Sequence, residues 1–438
     1  MKQKLLVSLA LAVVLGALAA SAAVAASTLT VCPSGCAYST IQSAINAAAP
    51  GDTVFVGAGT YVENLVIDKS LTLRGAKQTA VTIMPAVSNP NPCTGSSLCG
   101  GLASNIILVQ ADDVTIDRLT LNGDNPNLTS GIVRGGADLD ARNGIITNHA
   151  VGTYDNLTVS NLTVKNIYLR GMYASSGGTF QFKNNIVTNV QGDYYSIGIF
   201  NWVGSGVIAN NKVAFANDAI SSNHSSGVQF LKNKVTHSFS GVHTDNAGDG
   251  GGTADLIKGN KVEDCLADGY GIWVFVPYIA PTVEDNEVEG CTVGLAAFGQ
   301  GAPVTTLFTD NEVNGKGALS SSPSNSFGVI VSTDILGYGY TDASALFTNN
   351  EIKKFNTGVY VEQHGELYQL GLGGGQATAT LHNNVIKKNG TGANGMPDTI
   401  VDAENNWWGC AAGPNQPNCD TAVGTVDFTP WLTSPPFD

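Results

Sequence analysis

One asparagine recurs at a nearly fixed interval through most of this chain, each time between apolar residues. The segments are LTVSNLTV, FKNNIV, IANNKV, FLKNKV, IKGNKV, VEDNEV, FTDNEV, FTNNEI and HNNVI. Their aligned residues are Asn161, Asn185, Asn211, Asn233, Asn260, Asn286, Asn311, Asn350 and Asn384, with spacings of 24, 26, 22, 27, 26 and 25 before two longer gaps of 39 and 34 that hold extra loops. Each unit also sets a small residue ahead of an alternating apolar stretch, as in SIGIFNW, NDAISSN, SGVHTD, YGIWVFV and VGLAAF. Period-two alternation marks strands, and the Gly, Asn and Asp between them mark turns. A unit this short cannot bury its own apolar face, so it must stack on its neighbours. Stacking places successive asparagines about 4.8 Å apart, where their amides bond in a ladder. The expected fold is therefore all-β: a right-handed, single-stranded parallel β-helix. A β-propeller needs longer strands in repeats of about 40 residues, and a leucine-rich horseshoe needs its own leucine spacing; neither signature is present.

The ends read differently from the middle. Residues 1–26 carry Lys2 and Lys4, an apolar run from Leu5 and the small-residue stretch Ala23-Val24-Ala25, the order of a secretory signal peptide cleaved after Ala25 or Ala26. The rest, 27–438, reads as one domain, with an N-terminal cap and first coil over 27–60 and a C-terminal cap over 400–438. Ser39 and Gln42 stand in capping-box spacing ahead of Ile41, Ala44, Ile45 and Ala48, which predicts a short helix over the open barrel mouth. At the far end NNWWG continues the ladder through Asn406, with Trp407, Trp408 and Trp431 expected as core plugs.

Eight cysteines in an exported chain read as oxidised pairs. Cys32 with Cys36, Cys93 with Cys99, and Cys410 with Cys419 are close in sequence, leaving Cys265 for Cys291. Those two each follow a ladder asparagine by five residues, so they fall in the same slot of adjacent coils, within disulfide reach. Zinc is the alternative for such a set, but no paired CxxC is present. Charge narrows the partners. Without Lys2 and Lys4 the chain has 19 Lys+Arg against 35 Asp+Glu, which disfavours nucleic acid and, without a bridging cation, a polyanionic glycan. No segment after the leader is apolar enough to span a membrane, and a monomer is expected.

GDTVFVGAGTYVENLVIDKSLTLRGA, the Asn-x-apolar repeats and NNWWGCAAGPN resemble the pectin lyase-like superfamily of right-handed parallel β-helix repeat proteins. The resemblance covers nearly all of the mature chain and implies the fold, but the superfamily holds lyases, hydrolases, epimerases and adhesins, so it implies no single activity. His243-Thr244-Asp245 partly matches the Asn-Thr-Asp motif of polygalacturonases. Their Asp-Asp, Gly-His-Gly and Arg-Ile-Lys motifs are missing, as is the Asp-Pro-His-Asp motif of alginate epimerases.

Taking the residue after each small residue as inward, two outward columns follow. One is Phe200, Ser221, His243, Trp273 and Ala296; the other is Trp202, Asn223, Asp245, Phe275 and Phe298, with His224 beside Asn223. Aromatic residues flank a polar centre over roughly 14 Å, an arrangement suited to sugar rings. The predicted substrate-binding residues are Phe200, Trp202, Asn223, His224, Trp273, Phe275 and Phe298. Asp245, paired with Asp218 or Asp268 and flanked by His243, is the candidate carboxylate set for glycoside chemistry. These columns contain no Lys or Arg to serve as a lyase base. Two other readings stand beside the groove: loops such as NAGDGGG after Asp245 pack over the aromatics, or the face self-associates. No cofactor is expected beyond a weak case for Ca²⁺ on Asp245, Asp249 and Asp255. Asn127, Asn156, Asn161, Asn223 and Asn389 match the glycosylation sequon. The sequence thus points to a secreted protein that binds, or binds and processes, an extracellular polysaccharide or glycoconjugate, with a non-catalytic structural or adhesive module as the alternative.

Overall fold

The computed structural model describes residues 26–316, 325–336, 338–363 and 374–437; all but the last residue of the expected signal peptide lies outside them. The chain winds as a right-handed parallel β-helix. One fifteen-strand parallel sheet runs from Thr28–Val31 to Val426–Asp427, and the other strands of each coil form a second continuous ladder. Among the named strands the pairings are parallel, apart from a small hairpin between Val133–Arg134 and Ala137–Asp138.

The interior is built from columns of like residues. Val213, Val235, Val262, Val288 and Val313 stack on one wall, and Phe182, Ile208, Phe230, Ile257, Val283, Phe308 and Phe347 on another, all essentially without exposure. Their alternation with outward residues is the period-two pattern that defined the repeat.

The asparagine ladder is present, with one correction. Asn185 donates through Nδ2 to Asn211 Oδ1 at 3.0 Å, and the same bond repeats through Asn233, Asn260, Asn286, Asn311, Asn350, Asn384 and Asn406 at 2.9–3.0 Å. Each Oδ1 also accepts the backbone N–H of the preceding ladder residue, as Asn260 Oδ1 does from Asn233 N at 2.9 Å. Asn161 is not a rung. Strand register aligns Ser160 with Lys183, so Leu162 fills the ladder slot and its N–H donates to Asn185 Oδ1 at 3.0 Å. Asn161 instead occupies the preceding left-handed position (φ 56°), shared by Asn184, Asn210, Asp285, Asp310, Asn349, Asn383 and Asn405, where a short polar side chain tolerates positive φ. Two asparagine signals of different cause lie side by side in most repeats, and at LTVSN only the turn signal exists.

Both caps form with altered details. Helix α1 (Ile41–Ala47) buries Ile41, Ala44 and Ile45, but its N-cap is Thr40 rather than Ser39. The free N–H groups of Ile41 and Gln42 are taken by the Glu63 carboxylate of the next coil at 2.8 and 2.9 Å, so Gln42 does not close a capping box. At the other end Trp408 is fully buried, whereas Trp407 is half-buried beside Val385. Trp431 is exposed against Phe428 and is not a plug. All four expected disulfides are formed, with Cys265 and Cys291 at a Cα separation of 4.7 Å on adjacent coils.

Candidate functional site

Five strands carry the outward columns: β1 (Ile197–Trp202), β2 (Asp218–Asn223), β3 (Ser240–Asp245), β4 (Tyr270–Phe275) and β5 (Val293–Phe298). Their register matches the expected rows. Phe200, Ser221, His243, Trp273 and Ala296 are successive partners, and so are Trp202, Asn223, Asp245, Phe275 and Phe298. A third row, Ile197, Asp218, Ser240, Tyr270 and Val293, lies at the strand starts.

The three rows bring two carboxylates onto one imidazole. His243 Nε2 lies 2.6 Å from Asp218 Oδ2, and its Nδ1 lies 2.8 Å from Asp245 Oδ1. Asp245 reaches the ring because residues two apart share a strand face; Asp218 reaches it from the coil before. The imidazole is buried, and the indole of Trp273 stacks on it with centroids 4.0 Å apart and planes 9° from parallel. Burial opposes the charged ring, but attraction to Asp218 and Asp245 outweighs it and pushes the His243 pKa up to about 10. At neutral pH His243 is therefore an imidazolium donating from both nitrogens. Trp273 is fixed in turn by its Nε1, which donates to Ser240 Oγ at 2.8 Å. Asp268 stands in a left-handed turn (φ 61°) two residues ahead of Tyr270, outside the three rows.

A second pair borders the first. Trp202 meets the His224 ring edge-on at 4.6 Å, and His224 Nδ1 is in close contact with Asp249 Oδ2. The calcium reading is corrected by these partners. Asp245 is paired with His243 and Asp249 with His224, while Asp255 is buried and accepts from Ser225 Oγ, Thr244 Oγ1 and Val228 N at 2.5, 2.5 and 2.8 Å. The three carboxylates serve three separate places and do not converge on a common centre.

The ends of the expected groove are closed. Phe200 is buried in a cluster with Leu98, Ile146, Tyr173 and Ile197. Leu98 arrives on a long excursion clipped by Cys93–Cys99 and by Arg142, whose guanidinium donates to the carbonyls of Pro90, Ser96 and Ser97 at 2.8, 2.8 and 2.9 Å. Phe298 is fully buried with Phe327, Ile330 and Tyr360, and Leu336 and Met396 pack against that cluster. Both are packing residues, not open platforms. Near the triad Trp202 is exposed, whereas Tyr270, Trp273 and Phe275 are half-buried and pack with one side against the Phe298 cluster. The glycine-rich loop after Asp245 does not cover Trp273; Ala247 accepts from Tyr278 N and Ile279 N, and Gly248 donates to Ser225 O, holding the loop beside His224.

Arg170 was absent from the expected rows. It is the strand partner of Ile197 and so stands two coils before Asp218 in the third row. Its guanidinium lies over Phe200 at 4.8 Å and Tyr173 at 5.8 Å and donates to the Tyr195 carbonyl. Desolvation lowers its pKa to about 10, partly offset by Tyr173 and Asp218, so it remains a cation. Its position follows from the strand-start row, which small-residue punctuation does not mark; aligning Arg170 with Asp218 by repeat length is the signal that would find it.

With this geometry in hand, comparison with known proteins agrees on the architecture. Residues 143–313 match a family model described as a right-handed beta helix region. Among solved structures the chain is similar to the mannuronan C-5 epimerase AlgE6 A-module of Azotobacter vinelandii, at 17% identity and TM-score 0.50 over 82% of this chain and 92% of that one. It is also similar to the catalytic domain of a GH87 alpha-1,3-glucanase in complex with nigerose, at 14% identity and TM-score 0.56 over 86% of this chain and 68% of that one. No protein of curated function matches the sequence. The chain folds as a right-handed parallel β-helix. Its outer sheet carries the Asp218–His243–Asp245 triad.

Proposed function

We propose that this is a secreted protein that binds an extracellular, neutral carbohydrate on the outer face of β1–β4. The observation that carries the reading is the triad itself: two partly accessible carboxylates locked in place by one buried imidazolium, beside the half-buried indole of Trp273. Preorganised carboxylate oxygens accept hydrogen bonds from sugar hydroxyls, while the indole and Phe275 cover the apolar face of a ring. The carboxylates surrounding His243 and the negative chain charge favour a neutral glycan over a polyanion. The solved structures similar in fold, an epimerase of mannuronan and a glucanase holding nigerose, support a carbohydrate as the ligand class. Four disulfides among the described residues support an oxidising, extracytoplasmic location. No helix of the described residues is long and apolar enough to cross a membrane.

The test is titration of neutral and acidic oligosaccharides into the native protein and into Asp218→Asn, Asp245→Asn and Trp273→Ala, with reducing-end release followed in parallel. Binding of a neutral glycan that each substitution weakens is expected. Equal binding by all four proteins would remove the triad from the ligand site. Release by the native protein that Asp218→Asn abolishes would extend the proposal from binding to hydrolysis.

The second reading, a rigid structural or adhesive rod without small-molecule chemistry, is favoured by the closed ends of the rows at Phe200 and Phe298. It predicts no saturable binding of any oligosaccharide.

A further inference from the structure

Packing on either side of the triad restricts how a glycan chain can lie on this face. Along the rod axis both directions are filled. One coil before Ser221 the surface is occupied by the Leu98, Tyr173 and Phe200 cluster, and two coils beyond His243 by the Phe298, Tyr360 and Leu336 cluster. A chain running along the rows would have to displace one of two buried apolar clusters and return its side chains to water.

Along the strands, perpendicular to the rod axis, the surface is open at both ends. Beyond the strand starts stand Tyr194 and Tyr195, 75% and 67% exposed, with rings meeting edge-on at 5.2 Å. Their turn is held in place: Tyr195 N donates to Asp193 Oδ1 at 3.0 Å, Asn217 Nδ2 donates to the Asp193 carbonyl at 2.5 Å, and Arg170 donates to the Tyr195 carbonyl. Beyond the strand ends stands Trp202, with His224, Asp249 and the backbone of Gly250 and Gly251 around a concavity of about 510 Å³. Nothing lies within 4 Å of where a side chain would start at Gly250 or Gly251, so this floor is open to a ring resting on the indole. The triad carboxylates lie between these edges. The six-residue strand β1 spans roughly 17–20 Å, longer than the 14 Å that three coil steps would offer.

We infer that the glycan runs along the strands, across the rod axis rather than following it, with an outer sugar ring seated on Trp202 against the His224–Asp249 pair and the chain directed past the triad toward Tyr194 and Tyr195. The inference rests on the carbohydrate-binding reading and adds a direction and an outer subsite to it. It makes Trp202 a determinant of chain length and leaves Trp273 as the determinant of binding at the centre.

Isothermal titration with neutral oligosaccharides of two to six units decides it. The native protein is expected to gain affinity with length. Trp202→Ala is expected to lose about tenfold for the longer chains, in line with the loss of one stacking contact, and less than twofold for the disaccharide; Tyr195→Ala is expected to behave likewise at the other edge. Both side chains are exposed, so an unchanged melting curve verifies the fold, and His224→Ala, which frees the indole, gives a second reading of the same subsite. Binding that Trp273→Ala and Asp245→Asn weaken but that Trp202→Ala, Tyr195→Ala and His224→Ala leave unchanged at every length overturns the direction alone. Absence of binding by the native protein overturns the carbohydrate reading and this inference together.

Discussion

Replacing His243 by glutamine removes the only cation between Asp218 and Asp245 while keeping a donor of similar reach. Two consequences follow from the 2.6 and 2.8 Å contacts and the burial of the ring. At pH 7 the variant leaves at least one largely buried carboxylate without its charge partner, a change worth about 3–5 kcal/mol. The pH dependence is the sharper test. The imidazole gives up its proton near pH 6.5 in the unfolded chain and near 10 in the folded protein. Below about pH 6.5 both states hold the proton and the full contribution to stability is present. Above it the unfolded state sheds the proton first, so stability drains away until the folded group titrates near pH 10. Between pH 7 and 9 the two pKa values translate into a loss on the order of 2–3 kcal/mol that the glutamine variant cannot show. Urea unfolding of both proteins at pH 7, 8 and 9, followed by tryptophan fluorescence because Trp273 lies on the ring, measures the difference. The native protein should approach the variant in stability as pH rises. Parallel curves for the two proteins would refute an imidazolium held by two carboxylates.

The ladder, the bridge and the cap give three further tests. Asn260→Ala strips the partner from the backbone N–H and side-chain amide of Asn233 and removes the bonds of Asn260 to Phe230 O and Asn286 Oδ1; a loss of about 3 kcal/mol or more in urea unfolding is expected, and a loss below about 1 kcal/mol would show the ladder to be incidental. Cys265→Ser with Cys291→Ser opens a link of sequence separation 26, for which chain entropy gives about 3 kcal/mol; an unchanged unfolding midpoint would contradict it. Glu63→Gln weakens the charged acceptor for Ile41 N and Gln42 N and should cost about 1 kcal/mol, visible as faster amide exchange over residues 41–47 with the triad region unaffected.

The inner half of this fold was legible because it is written with period two. An inward position sees only its neighbours in the stack, so Val213, Val235, Val262, Val288 and Val313 repeat with the coil, and the register of β1–β5 follows from a small residue and the alternation after it. The His243–Asp245 half of the triad was legible for the same reason, since one strand face carries both. What escaped is whatever depends on residues leaving the coil. Leu98 and Leu336 arrive on excursions with no place in the repeat, and they turn Phe200 and Phe298 from outward platforms into buried packing. Asp218 was legible only as one of two alternatives with Asp268, and Arg170 not at all, because both Asp218 and Arg170 belong to the row at the strand starts, where the chain turns the corner and alternation no longer tells inward from outward. The same limit explains Asn161: residue type alone cannot separate an asparagine chosen for its amide from one chosen for a left-handed backbone, and only register against Asn184 and Asn185 does so. In a solenoid the stack therefore fixes which side chains share a row, while the inserted loops decide which of those rows a ligand can reach.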